Sequence, residues 1–331
     1  MSVPTRTQRR QIAAVIAISV VGGALFGSVA LNGSRLTATG EGALAGLLVP
    51  STLIGIQFSL RGSRFNEWLF RRSFGLSVLV GVGISLIGIV LALSIVGLVF
   101  ADDVVNAIPA LLFSITASVG FTVWFALDRL LGGGVLPNLL RGYYRKPRQE
   151  DTIFLFADVV GSVGLARQLG AVKFHEMLND LFFELAVPVE QHFGTIRRYI
   201  GDEVMVTWPQ RSVSSADPVR CAVDMLQLIE TRASRFQSTF GAVPHLRIAM
   251  HCGPVVVGEM GDLKREIVYT GDTVNTTARI EGAAKELGLG LVVSGDVVES
   301  VGVPEGLSAR SLGHFTLRGR DESIELMAIE G

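Results

Sequence analysis

Four long apolar runs, approximately Gln11 to Leu31, Ala43 to Leu60, Phe74 to Phe100 and Ile108 to Leu127, fill most of the first 130 residues, and none carries a charge in its interior. Each is long enough to cross the roughly 30 Å hydrocarbon core of a bilayer as a helix. One such run fits a buried helix of a soluble protein. Four in succession point to an α-helical membrane domain of four transmembrane helices over residues 1–128. The hydrophobic fraction, 49% of 331 residues, is therefore a local property, and roughly the last 180 residues read as an ordinary soluble domain.

Basic residues set the orientation, because the cytoplasmic flanks of membrane helices are enriched in Lys and Arg. Arg6, Arg9 and Arg10 precede the first run, Arg61, Arg64, Arg71 and Arg72 separate the second and third, and Arg129, Arg141, Arg145, Lys146 and Arg148 follow the fourth. The other two loops hold Arg35 with Glu41, and Asp102 with Asp103. All three basic clusters fall on one side. Both termini and the globular half are thus expected in the cytoplasm, on a multi-pass protein of the inner (plasma) membrane. The first run exceeds the roughly 7 to 15 apolar residues of a cleaved signal peptide.

No acid, base or histidine lies inside the runs, so a proton relay or ion path lacks its usual residues. Gly23 with Gly27, and Gly81 with Ser85, form small-xxx-small pairs suited to close helix approach across a packed or dimeric interface. Residues 129–150 read as a cytoplasmic linker or coupling element. Gly132, Gly133, Gly134 and Pro137 interrupt a continuous helix there, and the cations from Tyr143 to Arg148 also suit anionic headgroups. A net charge of −1 gives no basic field for nucleic acid, so none is expected as a partner. Cys221 and Cys252 are read as free thiols in a reducing compartment.

The globular half spans residues 151–331. TIFLFADVV reads as a buried strand, with Asp158 near its end and Gly161 and Ser162 in the turn to a helix whose apolar positions recur at helical spacing. GTIRRYIGDEVMVTW reads as two strands joined at Gly201 and Asp202. A second helix begins near Asp217 and Pro218. Strands HLRIAMH and PVVVGEM follow, then a loop into a helix with Asn275 and Arg279, and closing strands near Leu291 and from His314 to Ile329. Strands and helices alternate without a strict parallel repeat, which predicts an α+β sandwich with a mainly antiparallel sheet.

Singly, Asp158 reads as a helix-capping carboxylate and Asp202 as a turn residue. Together they stand at the tips of two apolar strands, where a sheet can hold two carboxylates close enough for hard divalent cations. Small residues at Gly161 and Ser162 leave backbone N–H groups for phosphate oxygens.

In order and spacing, FLFADVVGS, RYIGDEVM, an HCGPVVVGEMG hairpin and GDTVNTTARIE resemble the catalytic domain of class III nucleotidyl cyclases over nearly all of residues 151–331. The resemblance implies a ferredoxin-like α+β fold that pairs head to tail as a homodimer, with active sites at the interface. It also implies that Asp158 and Asp202, with the carbonyl of Val159, hold two Mg2+ (or Mn2+) per site, that Asn275 orients the ribose, and that Arg279 stabilises charge on the reacting phosphate. Arg318 falls where the family usually has a lysine for the terminal phosphates.

The chemistry agrees: a ribose 3′-hydroxyl attacks the α-phosphorus as pyrophosphate leaves, one metal acidifying the hydroxyl and the other neutralising the triphosphate. Asn275 and Arg279 are four apart and so share a helix face. The permanent charge and planar fork of arginine match phosphoryl oxygens.

Departures fall in the base pocket. Arg198 replaces the usual lysine and Val268 the usual aspartate or threonine of adenylate cyclases, while the glutamate and cysteine typical of guanylate cyclases are absent too. Valine offers no hydrogen bond to a purine edge. Val163 replaces a threonine of the first metal loop. The substrate expected on family frequency is ATP, giving cyclic AMP. Alternatives are a guanylate cyclase, a diguanylate cyclase, whose hairpin RYIGDE resembles although Ile200 stands at its first glycine, and a catalytically silent nucleotide-binding receptor.

Overall fold

The computed structural model describes residues 6–30, 35–60, 135–213, 217–263, 265–317 and 322–330, with short pieces between 80 and 123. Two compact units result, Met1–Leu130 and Leu131–Gly331.

In the first unit, α1 (Arg6–Ala30) and α2 (Arg35–Leu60) coincide with the first two apolar runs. α2 starts earlier than its run, so Glu41, expected in a loop, lies buried in a helix. Val49 of α2 packs with Ile89 and Ala92, flanked by Leu111 and Ile115, so pieces of the third and fourth runs share a core with it. Among the described residues no helix is both long and apolar enough to cross a membrane. The third and fourth runs are described only in pieces. Gly81, Ser85, Arg61, Arg64, Arg71, Arg72, Asp102, Asp103, Arg129 and Gly132 to Gly134 lie outside the described residues.

Gly23 and Gly27 serve the packing of α1 on α2 within one chain. A Cβ on Gly23 would collide with the carbonyl oxygen of Gly42, and one on Gly27 with that of Ala38. Gly22, one residue away, has open space around its Cβ position. Gly23→Ala should therefore destabilise the α1–α2 pair by roughly 1–3 kcal/mol through overpacking, while Gly22→Ala stays neutral. Thermal unfolding of the two variants in detergent compares them directly.

The second unit opens with α3 (Val135–Leu140) and a segment to Pro147 that lies along the sheet. There Tyr144 is buried against Val257, and its carbonyl accepts the amide of Glu259 at 2.9 Å. Tyr143 donates its hydroxyl to Glu150 at 2.8 Å beneath the guanidinium of Arg148.

An eight-stranded sheet follows, built from β1 (Arg148–Val159), β2 (Thr195–Ile200), β3 (Glu203–Pro209), β4 (Leu246–Met260), β5 (Glu266–Thr270), β6 (Leu291–Ser294), β7 (Ser308–Thr316) and β8 (Ser323–Glu330). Its order is β2-β3-β1-β4-β6-β8-β7, with β5 on β4, and only β4–β6 is parallel. The antiparallel α+β expectation is met. β1 is central and buried on both faces from Thr152 to Ala157, which explains its continuous apolar run.

Helices α4 (Ser162–Leu169), α5 (Ala171–Gln191), α6 (Asp217–Phe240), α7 (Asp272–Leu287) and α8 (Gly295–Val301) complete the unit. Alternation along the strands divides its core. Ile153, Leu155 and Ala157 pack with residues of α5, α6 and α8, whereas Phe154 and Phe156 face Met205, Val255, Tyr269 and Val274. α7 covers Ala249 and Val292 through Ile280 and Ala284.

One strand expectation is corrected. HLRIAMH and PVVVGEM are not separate strands of an HCGPVVVGEMG hairpin but one strand, β4, and the chain reverses only after Met260, into β5. Gly253 and Pro254 stay extended because β1 pairs through them, Thr152 with Gly253 and Asp151 with Pro254. The closing segment also begins earlier than His314, at Ser308, and forms two strands.

Candidate active site

Asp158 stands at the end of β1, and Asp202 in the turn between Ile200 of β2 and Glu203 of β3, which pair with each other. Gly201 takes φ 65° there, the left-handed conformation that two-residue hairpin turns need and glycine adopts without cost. Because Ala157 pairs with Val204, the end of β1 meets the start of β3, and the two aspartates are close enough to share a hydrogen bond.

Burial and the facing carboxylates of Asp202 and Glu281 push the Asp158 carboxyl from 3.8 up to about 7, while Arg247 pulls the other way. Arg247 sits directly opposite on β4, its Nη1 4.0 Å from Oδ2 of Asp158. Burial, then Glu281, Asp158 and Asp202, raise Glu203 from 4.5 to about 7. Glu281 of α7 is also raised, by burial, against the pull of Arg247 and Lys285. Four carboxyls thus crowd one end of the sheet around one buried guanidinium.

A carboxyl with a folded pKa above its unfolded value binds its proton more tightly in the folded chain. The stability Asp158 contributes is complete below its unfolded value, near 4, and is lost as pH rises through about 7. The metal-free chain should lose thermal stability across that window, and Asp158→Asn, which cannot ionise, should flatten the slope. Melting curves in chelator at a series of pH values test this, and equal slopes would remove Asp158 as a source.

Val159, next to Asp158, is buried, and the amide of Val160 donates to His245 at 2.9 Å, fixing the backbone around the Val159 carbonyl. Gly161 follows with φ 67° as N-cap of α4, and no side chain caps that end, so the first amides of the helix, from Ser162, have no side-chain acceptor. Val163 is exposed.

Arg198 lies on β2, and its Nη2 is 2.5 Å from Oε2 of Glu266, two residues before Val268 on β5. Arg197 beside it donates to Thr207 at 2.8 Å and lies over the ring of Tyr269, with CZ 5.3 Å from the centroid.

α7 carries Asn275 and Arg279 and is pinned to β4 by Thr273, whose hydroxyl donates to the Pro254 carbonyl at 2.8 Å. Nη1 of Arg279 is 3.8 Å from Oδ1 of Asp272, yet it is buried without a hydrogen-bond acceptor. A buried guanidinium N–H in this state is complementary to an anionic oxygen. Among the described residues no hydrogen bond or ion pair joins Asn275 or Arg279 to Asp158 or Asp202. Arg318 lies outside the described residues.

Sequence reading missed Arg247, Glu203, Glu281 and Glu266. Arg247 had a signal, being the one cation inside the apolar strand HLRIAMH. Also among the described residues, no group of three or more His, Cys, Asp or Glu side chains is arranged to hold a metal ion. Oxygen donors at this end of the sheet include the aspartate pair, the Val159 carbonyl and the neighbouring carboxyls of Glu203 and Glu281.

Residues 144–330 match the adenylate and guanylate cyclase catalytic domain. The chain is 38% identical over 229 residues to Adenylate cyclase 2 of Rhizobium meliloti (strain 1021), covering 69% of this chain and 63% of that protein. It is 26% identical over 182 residues to the Adenylate cyclase of Anabaena cylindrica, covering 53% of this chain and 36% of that one. The chain therefore spans less than two thirds of either relative. Its fold resembles that of a bacterial light-regulated adenylyl cyclase, with a TM-score of 0.55 at 21% identity over 69% of this chain and 65% of that structure.

Proposed function

From the membership of this chain in the adenylate and guanylate cyclase catalytic domain family, we propose that it is a membrane-bound adenylate cyclase, converting ATP to cyclic AMP and pyrophosphate at a homodimer interface. The observation that carries the reading is the juxtaposition of Asp158 and Asp202, where the end of β1 meets the β2–β3 turn. Arg247 offsets only part of the charge of the crowded carboxyls, and the all-oxygen donor set fits a hard divalent cation. ATP is favoured over GTP by the adenylate cyclase relative at 38% identity.

In this reading Asp158, Asp202 and the Val159 carbonyl would hold two Mg2+ (or Mn2+), which would acidify the ribose 3′-hydroxyl and neutralise triphosphate charge. The 3′-oxygen forms its bond to the α-phosphorus as the bond to pyrophosphate breaks, and the hydroxyl proton passes to solvent. Amides at Gly161 and Ser162 receive phosphate oxygens. Arg279 directs its unsatisfied Nη1 at the reacting phosphate, and Asn275, one helical turn earlier, positions the ribose. Arg318 is assigned to the terminal phosphates.

In this reading Asn275 and Arg279 complete the site of a second copy, and among the described residues no hydrogen bond or ion pair joins them to Asp158 or Asp202 of their own chain. The four apolar runs place the first 128 residues in the lipid bilayer, residues 129–150 as linker, and residues 151–331 as the cytoplasmic catalytic domain. Membranes carrying the full chain, incubated with ATP or GTP and manganese, should yield cyclic AMP by mass spectrometry. Cyclic di-GMP, or no product from either nucleotide, would overturn the reading. A reporter fused after Arg148 should behave as cytoplasmic and one inserted between Ala30 and Arg35, the ends of α1 and α2, as external, and the opposite result would reverse the topology.

A further inference from the structure

We infer that Glu266, held against Arg198, is the carboxylate that reads the purine edge in this chain, in place of the polar side chain missing at Val268. The inference rests on the cyclase reading above and deepens it.

Arg198 and Glu266 are 68 residues apart and meet at 2.5 Å, Nη2 to Oε2. They are 44% and 39% exposed, so the pair is open to a ligand rather than sealed in the core. An ion pair this exposed contributes little to stability, which leaves its placement unexplained by folding alone. Both strands are fixed beside it, β2 through Arg197 and Thr207, and β5 through Tyr269 under the same arginine.

Alternation along β5 puts Glu266, Val268 and Thr270 on one face. Val268 has no polar atom, and Gly258, its partner on β4, has no side chain. The Thr270 hydroxyl is already given to the Val256 carbonyl at 3.3 Å. Glu266 is thus the carboxylate of that face, two residues from the position where a base-reading side chain is expected.

A guanidinium only donates and a carboxylate only accepts. Side by side they complement the edge of adenine, where N6–H donates and N1 accepts. Guanine presents the reverse order there, O6 accepting and N1–H donating. Reversing the pair should therefore reverse the preference.

The test uses the full chain in membranes and compares kcat/KM for ATP and GTP, with pyrophosphate inhibition measured in parallel as a control on the triphosphate pocket. Glu266→Gln should lower the ATP-to-GTP ratio about tenfold or more, since a site built to hydrogen-bond a substrate discriminates strongly. The double variant Arg198→Glu, Glu266→Arg should move the ratio further toward GTP, while pyrophosphate inhibition stays unchanged.

If Glu266→Gln shifts the ratio by less than about twofold, far short of what a hydrogen-bonding site delivers, the inference falls. It falls equally if the reversed pair restores wild-type activity together with ATP preference, as a purely structural ion pair would. Should Glu266→Gln also lose pyrophosphate inhibition, Glu266→Asp, which keeps the charge but draws it back from Arg198, decides by the same ratio. An unmodified chain that cyclises neither nucleotide is a different result, one that removes the cyclase reading and this inference with it.

Discussion

Asp158→Asn and Asp202→Asn should each abolish turnover while leaving the fold intact. Neither side chain packs in the core, and both are crowded by like charges that an amide relieves. The metal-free variant should therefore be at least as stable as the unmodified chain near pH 7, so lost activity cannot be blamed on unfolding. That pairing separates a ligand role from a structural one. Manganese binding followed by titration should weaken in step with activity, since each substitution removes one ionised oxygen donor. Nearly unchanged turnover in either variant would take that aspartate out of the site.

Arg279→Ala should lower turnover roughly 100-fold to 1,000-fold, about 3 to 4 kcal/mol, the usual cost of removing one transition-state donor. Its Nη1 is already buried and lacks a hydrogen-bond acceptor, so the donor is in place before substrate arrives. The stronger consequence concerns chain pairing. An Asp158→Asn, Asp202→Asn chain and an Asn275→Ala, Arg279→Ala chain should each be inactive alone, yet active when co-expressed. In a random mixture about half the dimers are mixed and each has one working site of two, so activity near a quarter of wild type is the ceiling. Confinement of both chains to one membrane would raise their effective concentration. Failure to complement, with association demonstrated, would mean that each monomer holds a complete site.

The parts of the fold legible in the sequence were those decided locally. The β2–β3 turn followed from Gly201 and Asp202 between apolar strands, the start of α6 from Asp217 and Pro218, and the helical stretch after Asp158 from its apolar spacing, although Gly170 divides it into α4 and α5. Gly253 and Pro254 misled for the opposite reason. As a dipeptide they signal a turn, but the β1 ladder holds them straight, and no local rule contains that partner. The site divides the same way. Asp158 and Asp202 could be found from their strands, whereas Arg247 and Glu281 belong to the cluster only because β4 and α7 bring them to the end of β1. The charge that stands beside Val268 was equally out of reach, because it depends on a contact between strands 68 residues apart.

The segment before β1 behaves as a clasp. Tyr144 presses on Val257, Glu259 donates its amide to that segment, and a side chain at Gly258 would strike Pro147. Three consecutive residues of β4 are thereby gripped, and two of them pair with Tyr269 and Val268 on β5. Asp158 and Asp202 lie at the far end of the same sheet. Displacing the clasp would therefore disturb the arm that carries Glu266 and Val268 before it reaches the two aspartates.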